Sequence, residues 1–131
     1  MISPQQTQRP RQRILRWKRR FADALDGCLR AARDQESLWV HVGVAIAVSA
    51  LGFALQIESW RWCAAVLAAT LVISLELMNS AIEQLVKTLH PEHDAGLAAV
   101  LHMAAASVLV AAVGSVVIGM IVFVPPILAL W

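Results

Sequence analysis

Glu76, Asn79, Ser80 and Glu83 stand at positions i, i+3, i+4 and i+7, a spacing that projects all four side chains from one face of a helix. The stretch that precedes them, Cys63 to Leu75, is apolar apart from Thr70 and Ser74. An ionised group at the centre of a spanning helix costs roughly 2.5–3.5 kcal/mol even on the mildest scales, and persists where it does something. Hard oxygen donors near a water boundary suit a magnesium ion, which is held by one or two carboxylates together with the phosphates of a nucleotide. A deeper carboxylate, in a drier setting, suits taking a proton from a hydroxyl, and a lipid alcohol arrives at that depth. Phosphoryl transfer to a membrane-embedded acceptor fits this stripe. So does the movement of protons or cations, and the plainest reading is polar glue between helices.

Such a stripe needs spanning helices to carry it. Of 131 residues, 59% are hydrophobic and only 15% charged, a balance outside the soluble range. The length gives room for one domain, so a site must be assembled within it or between copies of it. The expected fold class is all-α, with three transmembrane helices preceded by an amphipathic interfacial helix. Residues 1–10 read as a disordered polar tail interrupted by Pro4 and Pro10. From Arg11 to about Ser37, apolar residues including Ile14, Trp17, Phe21, Leu25 and Leu29 recur at three- and four-residue intervals between charged ones, the pattern of a helix lying in the membrane interface.

Spans are expected over about 38–57, 60–88 and 97–124, each long enough for a bilayer core. Glu58, Ser59 and Arg61 form a polar turn, Trp60 and Trp62 fit an interfacial aromatic belt, residues 87–96 form a loop marked by Pro91 and Gly96, and Pro125–Pro126 ends the third span. The third helix carries a small-residue face around Gly114 and Gly119 that permits close packing. Cys28 and Cys63 match no metal or disulfide spacing and read as ordinary thiols. His90, His93 and Asp94 crowd one loop without any standard zinc spacing, and His41 reads as a residue at the membrane boundary.

Seven of the eleven basic residues lie in the first twenty positions: Arg9, Arg11, Arg13, Arg16, Lys18, Arg19 and Arg20. Anionic lipid is the simpler partner for this cluster than nucleic acid, because stacking aromatics are almost absent there. Nine of the eleven precede the first span, so the positive-inside rule expects a cytoplasmic amino terminus. Three crossings then place the Glu58 turn outside and return residues 87–96 to the cytoplasmic side, with Glu83 near soluble nucleotide and Glu76 about two turns deeper.

The run Leu75-Glu-Leu-Met-Asn-Ser-Ala-Ile-Glu83 resembles the signature of the small bacterial diacylglycerol/undecaprenol kinases, Glu-x-x-Asn-[Ser/Thr]-Ala-Ile-Glu. Similarity extends to Phe21, Ala24 and Gly27, to His41, and to Pro91–Glu92. The resemblance implies a homotrimer in the bacterial cytoplasmic (inner) membrane, crossing it several times. It implies ATP as phosphoryl donor, magnesium as cofactor, and diacylglycerol or undecaprenol as the lipid alcohol. By position, Glu76 matches the catalytic base, Glu83 a magnesium and nucleotide ligand, and Asn79 the amide beside the phosphates. Arg16 falls where a basic residue contacts phosphate, and Glu92 in a loop bordering the nucleotide.

The family's second metal-binding glutamate falls on Gln35, with Glu36 adjacent. Its aspartate after the signature falls on Lys87, and its Lys-Asp pair on Leu101 and His102. A lysine lost from a phosphate site removes a favourable charge contact, which Lys87 is placed to restore from the second span. The leading expectation is a lipid kinase transferring the γ-phosphate of ATP. A catalytically inactive relative binding lipid or nucleotide, and a small proton or cation conductor, are the other two readings.

Overall fold

The computed structural model describes the backbone of residues 4–89 and 94–130, and side chains over those ranges from Ile14 onward. The described residues form four helices: α1 (Pro4–Asp34), α2 (Glu36–Ala54), α3 (Ser59–Leu89) and α4 (Ala95–Leu128). They divide into two units, Met1–Asp34 and Gln35–Trp131. The expected fold class holds: the described residues are helical, and α2, α3 and α4 are each long and apolar enough to cross a membrane.

α1 is the amphipathic helix. It begins at Pro4, inside the stretch expected to be a disordered tail; a proline in the first helical position lacks only an N–H that has no intrahelical partner there. Its apolar side chains Ile14, Leu15, Trp17, Phe21, Leu25 and Leu29 are all more than half exposed, as a surface awaiting the headgroup region would be. Arg20 lies over the Trp17 ring, and Arg30 pairs with Asp26 one turn away. Gln35, in an extended conformation, breaks the chain between the units. Glu36 and Ser37 therefore open α2 instead of closing the interfacial helix.

Within the second unit α3 is the central element, packed against α4 along most of its length and against α2 over a shorter stretch. The α2–α3 turn is tight: α2 ends at Ala54, three residues before the expected limit, and Gln56 takes a positive φ of 49°. Ile57 is thereby buried with Val122 and Phe123. Gly52 lets this corner close, since a Cβ there would lie 2.9 Å from the Trp62 ring, which itself stacks at 4.7 Å from Phe53. Ser115 ties α4 to α3, its hydroxyl donating to the carbonyls of Ala111 and, more distantly, Ala68.

Two boundaries differ from expectation for reasons the structure supplies. Lys87 lies on α3, which continues to Leu89, and Gly96 lies in the first turn of α4. Asp94 caps that turn, its Oδ1 accepting from the Leu97 N–H at 2.9 Å, so the carboxylate weighed as a loop metal ligand serves the backbone.

The other concerns Pro125 and Pro126, which sit inside α4 and do not end it. Each lacks the N–H that would bond to the carbonyl four residues earlier, leaving Ile121 and Val122 as acceptors without helical donors. Arg61 fills both vacancies: its Nη1 donates to the Ile121 carbonyl at 3.2 Å and to that of Val122. The Arg61 side chain is 15% exposed, its Nε lies 3.4 Å from Glu58, and its guanidinium rests on the Trp60 ring at 4.8 Å. The helix runs on to Leu128 because an external donor replaces what the prolines remove.

Candidate active site

The apolar faces of α3 dictate which of its polar groups turn inward. Ala65, Ala68 and Val72 are buried along the face that meets its neighbours, and the same face, continued by helical periodicity, carries Glu76, Asn79 and Ser80. These three are the buried polar residues among the described ones, at 4%, 8% and 6% exposure. The expected stripe is therefore one inward-facing surface. Glu83, one turn beyond Asn79, is about a third exposed.

A buried carboxylate requires donors, and α2 supplies one to Glu76 and brings a second group beside it. The Ser37 hydroxyl donates to Glu76 Oε1, and His41 Nε2 lies 3.8 Å from Oε2. Ser37 and His41 are one helical turn apart on α2, so a single face of that helix meets both carboxylate oxygens. The sequence alone gives Ser37 no role and reads His41 as a residue at the membrane boundary, on a position that shares in the family resemblance. The available signal was their i, i+4 spacing at the start of an otherwise apolar span.

Further along α3 the polar groups are linked in series. Asn79 Nδ2 donates to Glu83 Oε1 at 2.9 Å, and Lys87 Nζ stands 3.7 Å from Glu83 Oε2. Asn79 Oδ1 is buried and has no hydrogen-bond partner among the described residues. An orphaned acceptor of this kind carries a desolvation cost of about 1–3 kcal/mol unless something donates to it or coordinates it. Oxygen donors from Glu83 and Asn79 fit the hard-ligand preference of magnesium. Among the described residues no group of three His, Cys, Asp or Glu side chains is poised to hold a metal by itself. Phosphates and waters are the usual remaining ligands of a magnesium ion held by one or two carboxylates.

The remaining expected residues are more scattered. Gln35 is half-buried at the N-cap of α2, where its side chain makes no capping bond. Glu36 is the first residue of that helix and is exposed. Arg16 is exposed on α1, in the other unit. Leu101 is half-buried and His102 exposed, one to two turns into α4. Glu92, with His90, Pro91 and His93, lies outside the described residues.

Next to the Glu76 site the three spanning helices line a half-open apolar cavity of about 400 Å³. Its walls come from α2, α3 and α4, and His41 and Ser115 are the two polar side chains among those that line it.

The sequence profile of the family described as prokaryotic diacylglycerol kinase matches residues 22–123. The undecaprenol kinase of Bacillus subtilis (strain 168) is 32% identical over 115 residues, covering 88% of this chain and 94% of that one. No solved structure matches the chain. With a profile match that takes in Glu76, Asn79 and Glu83, and a relative aligned over nearly its whole length, the chain belongs to the prokaryotic diacylglycerol kinase family.

Proposed function

We propose that the protein transfers the γ-phosphate of ATP to the hydroxyl of a membrane lipid alcohol, with undecaprenol the first candidate and diacylglycerol the second. The observation that carries this reading is Glu76: a carboxylate buried within an apolar spanning helix and held by the Ser37 hydroxyl of α2, in a chain of a lipid-kinase family. Undecaprenol comes first because it is the alcohol named for the Bacillus subtilis relative.

In this reading Glu76 accepts the hydroxyl proton as the alcohol oxygen bonds to the γ-phosphorus. The bond from that phosphorus to the β-phosphate oxygen breaks, and ADP leaves. Ser37 holds one carboxylate oxygen in place, and the surrounding alanines and valines exclude water that would otherwise take the phosphoryl group. Glu83 and the Asn79 amide oxygen would hold magnesium, with Gln35 or Glu36 as the expected further ligand; when bound, the ion neutralises charge on the phosphates. Asn79 Nδ2 orients the Glu83 carboxylate. Assembly as a homotrimer, contact of Arg16 with anionic lipid or phosphate, and a role for Glu92 at the nucleotide belong to the same proposal.

A second reading has a specific observation in its favour. Lys87 stands 3.7 Å from Glu83, and a cation beside a metal-binding carboxylate opposes binding of a second cation. A family member that binds lipid or nucleotide without turnover would look like this.

Transfer of labelled phosphate from Mg-ATP to each lipid in mixed micelles separates the two. The kinase reading expects product with at least one lipid, and a fall of about 10²–10⁴-fold in Glu76→Ala, the range general-base removal produces. No transfer from a folded protein that still binds nucleotide would establish the second reading.

A further inference from the structure

We infer that His41, acting with Ser37, is a positioning residue for Glu76. Together they fix the carboxylate so that it faces the acceptor hydroxyl in the orientation that takes its proton. The inference rests on the kinase reading for its catalytic consequence, while the contact it depends on is a property of the fold.

The argument begins with what a lone carboxylate does in an apolar bundle. Its side chain has three torsions, and without fixed donors it turns toward whatever hydrogen-bond partner is nearest. Glu76 is given two partners, one for each oxygen. The Ser37 hydroxyl donates to Oε1, and His41 presents Nε2 to Oε2 at 3.8 Å. Both come from one turn of α2, which is itself packed on α3. A bond to one oxygen and a ring nitrogen beside the other bias the carboxylate plane as well as its position, and a base works only within hydrogen-bond reach of its proton. The His41 contact is longer than a hydrogen bond, as is common in unliganded sites whose contacts tighten when substrate arrives.

A second feature separates His41 from a group that merely shields a buried charge. Its imidazole also lines the apolar cavity that continues away from Glu76 between α2, α3 and α4. The cavity's other polar side chain, Ser115, is occupied by backbone carbonyls of α4 and α3. Among the described residues His41 is thus the polar side chain that both lines this cavity and approaches the proposed base. An alcohol whose hydrocarbon lies on that side meets the imidazole on the way to the carboxylate. A protonated or neutral imidazole with its proton on Nε2 serves equally as the donor.

The test uses the full-length protein in mixed micelles, with kcat and KM measured for the lipid and for ATP. His41→Ala and Ser37→Ala are each expected to lower kcat by about 10- to 100-fold, the scale on which small misplacements act. KM for ATP should stay unchanged. His41→Gln, whose amide N–H reaches a similar position, should recover most of the loss, whereas a residue needed only to fill space would be rescued better by His41→Leu. Wild-type kcat in both alanine variants, or equal rescue by leucine and glutamine, would overturn the inference.

A readout that needs no turnover accompanies it. Ring-¹⁵N-labelled histidine, observed by NMR in the intact protein and assigned by its loss in His41→Ala, should show the His41 Nε2 resonance move in Glu76→Ala. A resonance indifferent to that change overturns the pairing itself. If wild type transfers no phosphate to either lipid, the kinase reading fails, and this resonance alone decides whether His41 is held by Glu76.

Discussion

Lys87 is the residue at which the two functional readings part. It stands where the family pattern expects an aspartate, on the exposed last turns of α3, with its ammonium 3.7 Å from Glu83. If it supplies the cation lost at Leu101, removing it takes a charge-assisted contact from the phosphates, weakened by the exposure of the side chain to solvent. Lys87→Ala should then raise KM for ATP by about tenfold, equivalent to about 1.4 kcal/mol, with kcat little changed. An unchanged KM would leave Lys87 as a partner of Glu83 alone. At this scale the sequence was informative about one helix and silent about the meeting of two. Helical periodicity placed Glu76, Asn79 and Glu83 on a single stripe, because spacing along a helix fixes azimuth. It contains nothing about which face of α2 the stripe would meet, so Ser37, 39 positions away from Glu76, stayed out of view.

The fourth helix shows the same limit in its backbone. Pro125–Pro126 reads locally as a stop, and on local grounds that reading is sound. The helix continues because Arg61, sixty positions earlier, donates to both carbonyls that the prolines deprive. Arg61→Ala should therefore leave two acceptors without a donor and destabilise the bundle by about 1–3 kcal/mol for each that stays buried. The check is a thermal or chemical denaturation series in detergent. Pro125→Ala/Pro126→Ala restores two backbone N–H groups, so the Arg61→Ala penalty should shrink in that background. Equal penalties in the two backgrounds would mean that Arg61 stabilises the corner through Glu58 and Trp60 instead. Element identities were legible from the sequence because apolar runs of spanning length are unambiguous. Their ends shifted by a few residues where an extended residue, a cap or a distant donor intervened: Gln35 before α2, Asp94 before α4, Arg61 near the end of α4.

Taken as a whole, the molecule has much of its apolar surface facing outward. Val44, Leu67, Leu71, Val110 and Val116 on α2, α3 and α4 are all more than half exposed, the surface expected of helices whose solvent is hydrocarbon. The bias of basic residues toward the start of the chain then sets an expected direction of insertion. In a chain with both native cysteines replaced by serine, Ser59→Cys should react with a membrane-impermeant maleimide added outside intact cells. Gln84→Cys should react only after permeabilisation. The reverse pattern would turn the protein over and place Glu83 away from cytoplasmic nucleotide.

The length of α3 has a consequence for how the reactants come together. Its 31 residues extend about 46 Å at 1.5 Å per residue, well beyond a hydrocarbon core of about 30 Å. Glu76 and Glu83 are separated along the axis by about 10 Å. One rigid rod therefore reaches from oil into water and carries a chemical group in each. In the proposed reaction the rod behaves as a phase-transfer catalyst that does not diffuse. The greasy alcohol stays dissolved in its own medium, the charged donor in another, and the only thing that crosses the boundary between them is a phosphoryl group.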